Sequence, residues 1–421
     1  MKNILFVHSG GFWRDYTFKK AKQLGYGVIL AQKNYTGNNP YIDKIIDVDV
    51  YDAQAATNLI SQHKKEIHGA ATFFELAVET NALIAESLDL IGNDRLAAQN
   101  SRDKYKMRRC FKEHNVPSVE AFSLVTEPED IKKFGKVYGY PIILKPTSFG
   151  AAAGVVRMNG EADVERLFNF VKTEVDSFCK THEFLNARTA LMVETMIDPK
   201  ATEVNVDMII HNGEPLVVSV AEKPQDTTGP TFQENDYVMP PFSLKQEDIE
   251  AVKDVAVKAV KALGLKYGAA HLESKVIEKR GEFNCYVVEV GARCGGDLEV
   301  PAVCASTGVD LSAVVIKQAM GDLTDSDFIS LKDNLMNQSL RSVAVQVIYA
   351  PKNGIIKEIL IPDFIKSDPR LLEMKFEYDP NDKINMHYSD YVGAIMVTDE
   401  TSKKALKLVN DFISSIKIEM C

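Results

Sequence analysis

The chain has 421 residues, 45% of them hydrophobic and 26% charged, and its formal net charge is −10. That length and composition describe a globular protein of two to four packed units. The acidic balance excludes a general nucleic-acid binder, which would present a basic surface, so negatively charged substrates would need local basic clusters.

The first 95 residues alternate strand-like and helix-like runs. Asn3–Val7, Val28–Ala31, Ile45–Val50 and Ala70–Phe74 read as strands of a parallel α/β unit, with ligands expected at their carboxyl ends. Gly10-Gly11 after the first strand could admit a ligand closely, but without GxGxxG spacing it reads better as a tight turn. Ser101 is the expected cap of a helix running to about His114, and Thr126-Glu127-Pro128-Glu129 announces a second that ends near Gly139. A strand then runs to Lys145-Pro146. Ser243 with Gln246 would open another helix, striped by Ile249, Val252, Ala256, Ala259, Val260 and Leu263 and stopped by Gly264. From about Ser342 the pattern becomes short strands with a final amphipathic helix, a small α+β unit. The division is thus 1–95, 96–340 (with a lid at about 117–192) and 341–421.

The six cysteines (Cys110, Cys179, Cys285, Cys294, Cys304, Cys421) include no CxxC pair. They read as reduced thiols in a cytoplasmic protein. Cys294, beside Arg293, lacks a His/Asp context and reads as packing. Ile4–Val7 is too short for a signal core, and no run approaches a membrane span.

Several segments carry possible chemistry. Lys145 ends an aliphatic run and precedes a small-residue loop, Ser148 to Val155, through Gly150, Ala151 and Gly154. Such a loop lets backbone N–H groups approach phosphate oxygens, although many turns look the same. Lys104 sits in the first turn of its helix. Leu191–Ile197 is an apolar strand leading into a bend; after it Glu203, Asn205 and Asp207 share one strand face while Val204, Val206 and Met208 share the other. A nucleotide cleft and an amphipathic strand with a wet face both fit. Finally, His271-Leu272-Glu273 and Val288-Glu289-Val290-Gly291-Ala292-Arg293 flank a turn-like cluster at Glu278–Gly281; the midpoint between Glu273 and Glu289 falls on Gly281, which would set the two carboxylates roughly opposite each other. Like charges across a sheet destabilise it. Either a cation such as Mg²⁺ lies between them or both are solvated on an exposed hairpin.

In this order the segments resemble an ATP-grasp enzyme. The resemblance rests on Arg102-Asp103-Lys104, Leu144-Lys145-Pro146, the Ser148–Val155 loop, Val193-Glu194 with Glu203, Glu273, and Glu289-Val290-Gly291-Ala292-Arg293-Cys294-Gly295-Gly296-Asp297. It covers essentially the whole chain and implies a mixed α/β and α+β ATP-grasp fold, with a parallel N-terminal domain and a small carboxylase-like C-terminal domain. Within the superfamily the chain looks most like bacterial L-amino acid ligases of the bacilysin-synthetase type.

The resemblance implies an ADP-forming carboxylate–amine ligase that works through an acyl phosphate on two small-molecule substrates, as a homodimer. It implies that Lys104 and Lys145 hold ATP phosphates, with Ser148, Gly150, Ala151 and Gly154 in the covering loop. Glu194 and Met196 would contact adenine, and Glu203 the ribose. Glu273 and Glu289 would bind Mg²⁺ or Mn²⁺, Arg293 would stabilise transferring charge, and Glu234 would meet the incoming ammonium. Two positions depart from the pattern: Gly291 stands where many members have asparagine, and Tyr237 where this group has histidine. The first implies fewer protein ligands for one metal ion. The alternatives are a biotin-carboxylase-like or purine-pathway enzyme using bicarbonate or formate, and a nucleotide-binding module without catalysis.

Overall fold

The structure is a computed structural model that describes residues 1–150, 152–180, 189–224, 232, 236–384 and 391–421. Ala151 and Glu234 therefore lie outside the described residues.

The first sheet is parallel, in the order β3-β2-β1-β4: β1 (Asn3–Val7), β2 (Gly27–Ala31), β3 (Lys44–Ile46) and β4 (Gly69–Ala71). Its strands read as continuous apolar runs because both faces are covered. Ile4 and Phe6 enter one core, Leu5 and Val7 another. The third strand is shorter than its sequence suggests, stopping before the acidic Asp47 and Asp49.

The expected single helix from Ser101 is two helices, α1 (Arg95–Arg102) and α2 (Lys104–Glu113). The break is at Asp103, whose extended backbone and carboxylate cap the second helix by accepting from the N–H groups of Tyr105 and Lys106. Ser101 instead bonds back to the carbonyl of Ala98. This break sets Lys104 at the helix start and Arg102 one step before it, so both reach the same loop.

The second sheet, β5 (Phe122–Val125), β6 (Ile142–Pro146), β7 (Val156–Met158) and β8 (Leu191–Thr195), is antiparallel in the order β5-β8-β6-β7. Helices Pro128–Tyr138 and Val164–Cys179 pack on it. The first carries the expected capping box, with Asp130 rather than Glu129 closing it onto Glu127.

An eight-stranded sheet forms the centre, ordered β13-β12-β9-β10-β11-β14-β18-β16. It uses β9 (Thr202–His211), β10 (Glu214–Lys223), β11 (Asp236–Met239), β12 (Gly268–Lys279), β13 (Glu282–Gly291), β14 (Ser342–Ile348), β16 (Leu371–Phe376) and β18 (Gly393–Asp399). Three strands beyond residue 341 thus extend this sheet through β11. A separate three-stranded sheet is made by β15 (Gly354–Leu360), β17 (Lys383–Ile384) and β19 (Lys417–Met420). The helix Gln246–Leu263 lays Val252, Ala256, Ala259, Val260 and Leu263 against Val204, Val206 and Met208, and ends at left-handed Gly264. Lys245, not Ser243, stands at its N-cap position and donates its N–H to Asp248 (3.2 Å), while the N–H groups of Phe242 and Ser243 are taken by the Glu222 carboxylate. Among the described residues no single helix is long and apolar enough to cross a membrane; the bent pair Glu299–Thr307 and Leu311–Ala319 passes on length and composition only.

Candidate active site

The β12–β13 hairpin turns at Arg280 and Gly281, both with left-handed backbone (φ 56° and 80°), as two-residue hairpins favour. Near the turn the register pairs Ser274 with Val287, which would continue to Glu273 opposite Val288. A one-residue bulge at Val288 shifts it, and Glu273 pairs with Glu289. The opposition expected from spacing is therefore present, but it depends on the bulge.

On the same face, the β9–β12 register pairs Asp207 with His271, Asn205 with Glu273 and Glu203 with Lys275. This polar face fronts a cavity of about 810 Å³. The cavity is also lined by Lys145 of β6, by Phe149 and Met196 from the segments after β6 and β8, and by Gly10, Arg14 and Glu75 from the segments that follow the carboxyl ends of β1 and β4.

Most of the expected residues meet here: Lys104, Lys145, Gly150, Glu194, Met196, Glu203, Glu273, Glu289 and Arg293 all line the cavity. Ser148 and Gly154 do not. Ser148 is buried and gives its carbonyl to Arg102 (2.5 Å), while Gly154 packs on Pro146, so both support the loop from behind.

Each glutamate of the expected metal pair already has a cationic neighbour. Lys104 Nζ lies 2.8 Å from Glu289 and donates at 2.6 Å to the Phe149 carbonyl. His271 Nε2 lies 3.9 Å from Glu273. The two carboxylates are partly exposed to the cavity (side chains 28% and 23%), and an all-oxygen pair with room for phosphate and water fits Mg²⁺ or Mn²⁺.

Glu194 is fully engaged. Arg108 grips it at 3.0 and 3.3 Å and Lys145 Nζ reaches it at 2.5 Å, all three buried. Burial would raise the Glu194 carboxyl, but Arg108 and Lys145 outweigh it and hold it below the usual range. Burial lowers the Lys145 ammonium to about 8 against the pull of Glu194. Glu203 sits between Lys223 (3.1 Å) and Lys275 (3.7 Å).

Two residues, Glu75 and Arg14, and one grouping of side chains were not singled out from the sequence. Glu75, just after β4, binds Arg102 at 2.7 Å and Arg293 at 2.9 Å, and these cations hold its carboxyl down despite burial. Its position at the carboxyl end of a parallel strand was the available signal. Glu75 also accounts for Gly291: a Cβ there would lie 2.8 Å from Glu75 Oε2. Asp207, His271 and Glu299 form a buried group whose ligand atoms lie within 4.8 Å of one another. Burial lowers the imidazole, but Glu299 and Asp207 outweigh it and raise it to about 9. The two carboxylates thus favour the protonated form of the imidazole between them. Cys294 is buried and its thiol pushed up to about 12, which leaves it protonated and a packing residue.

A family model described as an ATP-grasp domain matches residues 138–301. The alanine–anticapsin ligase of Bacillus subtilis is 27% identical over 322 residues, 71% of this chain and 65% of the relative. The chain thus spans less than two thirds of that relative's length. The L-amino acid ligase from Bacillus licheniformis superposes with a TM-score of 0.84 at 24% identity, covering 100% of this chain and 99% of the other. The phosphoribosylglycinamide synthetase of Anaerococcus prevotii does so at 0.74 and 22%, covering 100% of both. Residues 138–301 thus match an ATP-grasp domain, and the chain as a whole has the ATP-grasp fold.

Proposed function

We propose that the protein is an ATP-dependent carboxylate–amine ligase, joining an amino-acid carboxylate to an amine, most simply that of a second amino acid. The observation that carries this is the convergence of Lys104, Lys145, Glu273, Glu289 and Arg293 on one cavity. The similarity to an alanine–anticapsin ligase and an L-amino acid ligase supports the same reading.

In this reading the substrate carboxylate attacks the γ-phosphorus of ATP, giving an acyl phosphate and ADP. The amine then attacks the acyl carbon, forming the amide and releasing phosphate with loss of a proton. Positioning and charge neutralisation suffice for phosphoryl transfer, without a side-chain nucleophile. Glu273 and Glu289 would hold Mg²⁺ or Mn²⁺, which when bound neutralises phosphate charge. Lys104 and Lys145 bind phosphate oxygens, Arg293 faces the transferring group, and Glu203 and Met196 lie on the nucleoside side. Glu234 is assigned to the incoming ammonium. The loop through Phe149 and Gly150 shields the acyl phosphate from water.

The test is phosphate release from Mg-ATP over all amino-acid pairs, with mass spectrometry of the products. Release matched by a product of two amino acids minus water is expected. Release driven instead by bicarbonate or formate would replace this reading with the carboxylase or purine-type one, and ATP binding without turnover over all these acids and amines would leave a binding module.

A further inference from the structure

The cavity contains a cation that the nucleotide and phosphoryl chemistry leave unused. Arg14, 8% exposed, lies beyond the Gly10-Gly11 turn at the end of β1 and lines the cavity. Its Nε donates to the Phe73 carbonyl at 3.2 Å and its Nη1 to the Trp13 carbonyl at 3.4 Å. Among the described residues Nη2 has no hydrogen-bond partner, and no carboxylate lies within 4 Å of the guanidinium. The other arginines around the site differ: Arg102 and Arg293 share Glu75, and Arg108 holds Glu194. A buried charge is ordinarily paired, so this guanidinium is set for an anion that arrives with a ligand.

Two glycines shape its setting. A Cβ at Gly10 (φ +72°) would lie 2.5 Å from Arg14 Cγ, so a larger residue would push the stem aside. A Cβ at Gly296 would lie 3.8 Å from Nη2, an ordinary contact, so Gly296 borders the tip without crowding it. Trp13, Phe73 and Tyr391 supply apolar walls, which strengthen an ion pair by excluding water. The planar fork suits a carboxylate held by two hydrogen bonds.

We propose that Arg14 binds the carboxylate that is not activated, carried by the amine-donating amino acid, and so selects α-amino acids over simple amines as acceptors. This rests on the ligase reading for the word acceptor, but the binding step stands apart from turnover. A dicarboxylic acid could present the same group from the acid side.

The experiment is calorimetric titration of the full-length protein, without ATP, using the twenty amino acids, their α-carboxamides, and the diacids succinate and glutarate. Trp13 is the chain's single tryptophan, so its fluorescence reports whether binding is local. At least one amino acid is expected to bind about 10–100-fold more tightly than its carboxamide, as loss of a charged hydrogen bond predicts, with a Trp13 signal. Arg14→Gln should abolish that preference and leave the carboxamide affinity unchanged. Equal binding of acid and carboxamide, no binding of any amino acid, binding of diacids alone, or a preference retained in Arg14→Gln would each overturn the assignment. If Arg14→Gln does not fold, the wild-type preference and its Trp13 signal decide. Carboxylate-selective binding without amide synthesis for any pair would remove the ligase reading and keep the subsite; synthesis with no carboxylate preference would do the reverse.

Discussion

Two charged clusters line the same cavity and are built differently. Around Glu194, the side chains of Arg108, Lys145 and Glu194 itself are 1–5% exposed, and each charge has its partner within the protein. Around Glu289 and Glu273 the carboxylates are roughly a quarter exposed, and Lys104 divides its ammonium between Glu289 and a loop carbonyl. Buried pairs are costly to open because the partner left behind has no water. Partly exposed ones exchange partners readily. The first cluster is therefore scaffold that orients Lys145, and the second is where phosphate and metal can replace existing contacts.

The largest effect should come from breaking the scaffold. Glu194→Ala leaves Arg108 and Lys145 buried and facing each other, and is expected to cost about 3–5 kcal/mol of stability, read as a lowered denaturation midpoint. Glu289→Gln leaves buried Lys104 an amide oxygen in place of its carboxylate, so it should cost less, about 1–2 kcal/mol, while raising the Mg²⁺ concentration needed for ATP binding. If the two variants lose stability equally, the distinction between the clusters is wrong. Next in size is Arg293→Ala, with an expected loss of about 10²–10³ in turnover if the arginine stabilises transferring charge. Turnover like wild type would remove it from the chemistry.

The part of the site carried by regular strands was legible beforehand. Period-two alternation put Glu203, Asn205 and Asp207 on one face and Val204, Val206 and Met208 in the core, as the structure has them. The Glu273–Glu289 opposition was legible too, although the bulge at Val288 that produces it leaves no mark in composition. The Ser101 cap misled because Ser101 and Asp103 are equally able caps, and only tertiary packing selects the second. Glu75, Arg102 and Arg293 come from three distant segments, and no periodicity couples them. Nor does a strand pattern state which sheet a strand joins, so β14 reads the same inside a small unit as inside the central sheet.

A smaller effect should follow from Gly291→Ala. The added Cβ would contact Glu75 Oε2 at 2.8 Å, so the carboxylate must move from Arg293. Overpacking of this kind costs about 1–3 kcal/mol. Because Glu75 also binds Arg102, the loss is expected both in turnover and, more weakly, in loop closure over ATP. Activity unchanged in this variant would mean that Glu75 yields without disturbing Arg293, and that the glycine has another reason.

The smallest expected effect is one of pH, and it separates lysine from arginine within the site. Burial lowers Lys145 from 10.5 to about 8, so its ammonium is present below that pH and lost above it. ATP affinity should then be flat on the acidic side and fall by up to about tenfold per unit above pH 8, since one proton is involved. Bound phosphate favours the ammonium, so binding near pH 8–9 should take up a proton, seen as a dependence of calorimetric heat on buffer ionisation enthalpy. The sign for stability is opposite. Between about 8 and 10.5 the unfolded chain holds a proton that the folded one has released, so this lysine makes stability rise with pH across that window. Lys145→Arg removes the titration, because guanidinium stays charged. It should flatten the affinity profile even if it weakens binding overall; a fall above pH 8 that persists in this variant would assign the titration to another group.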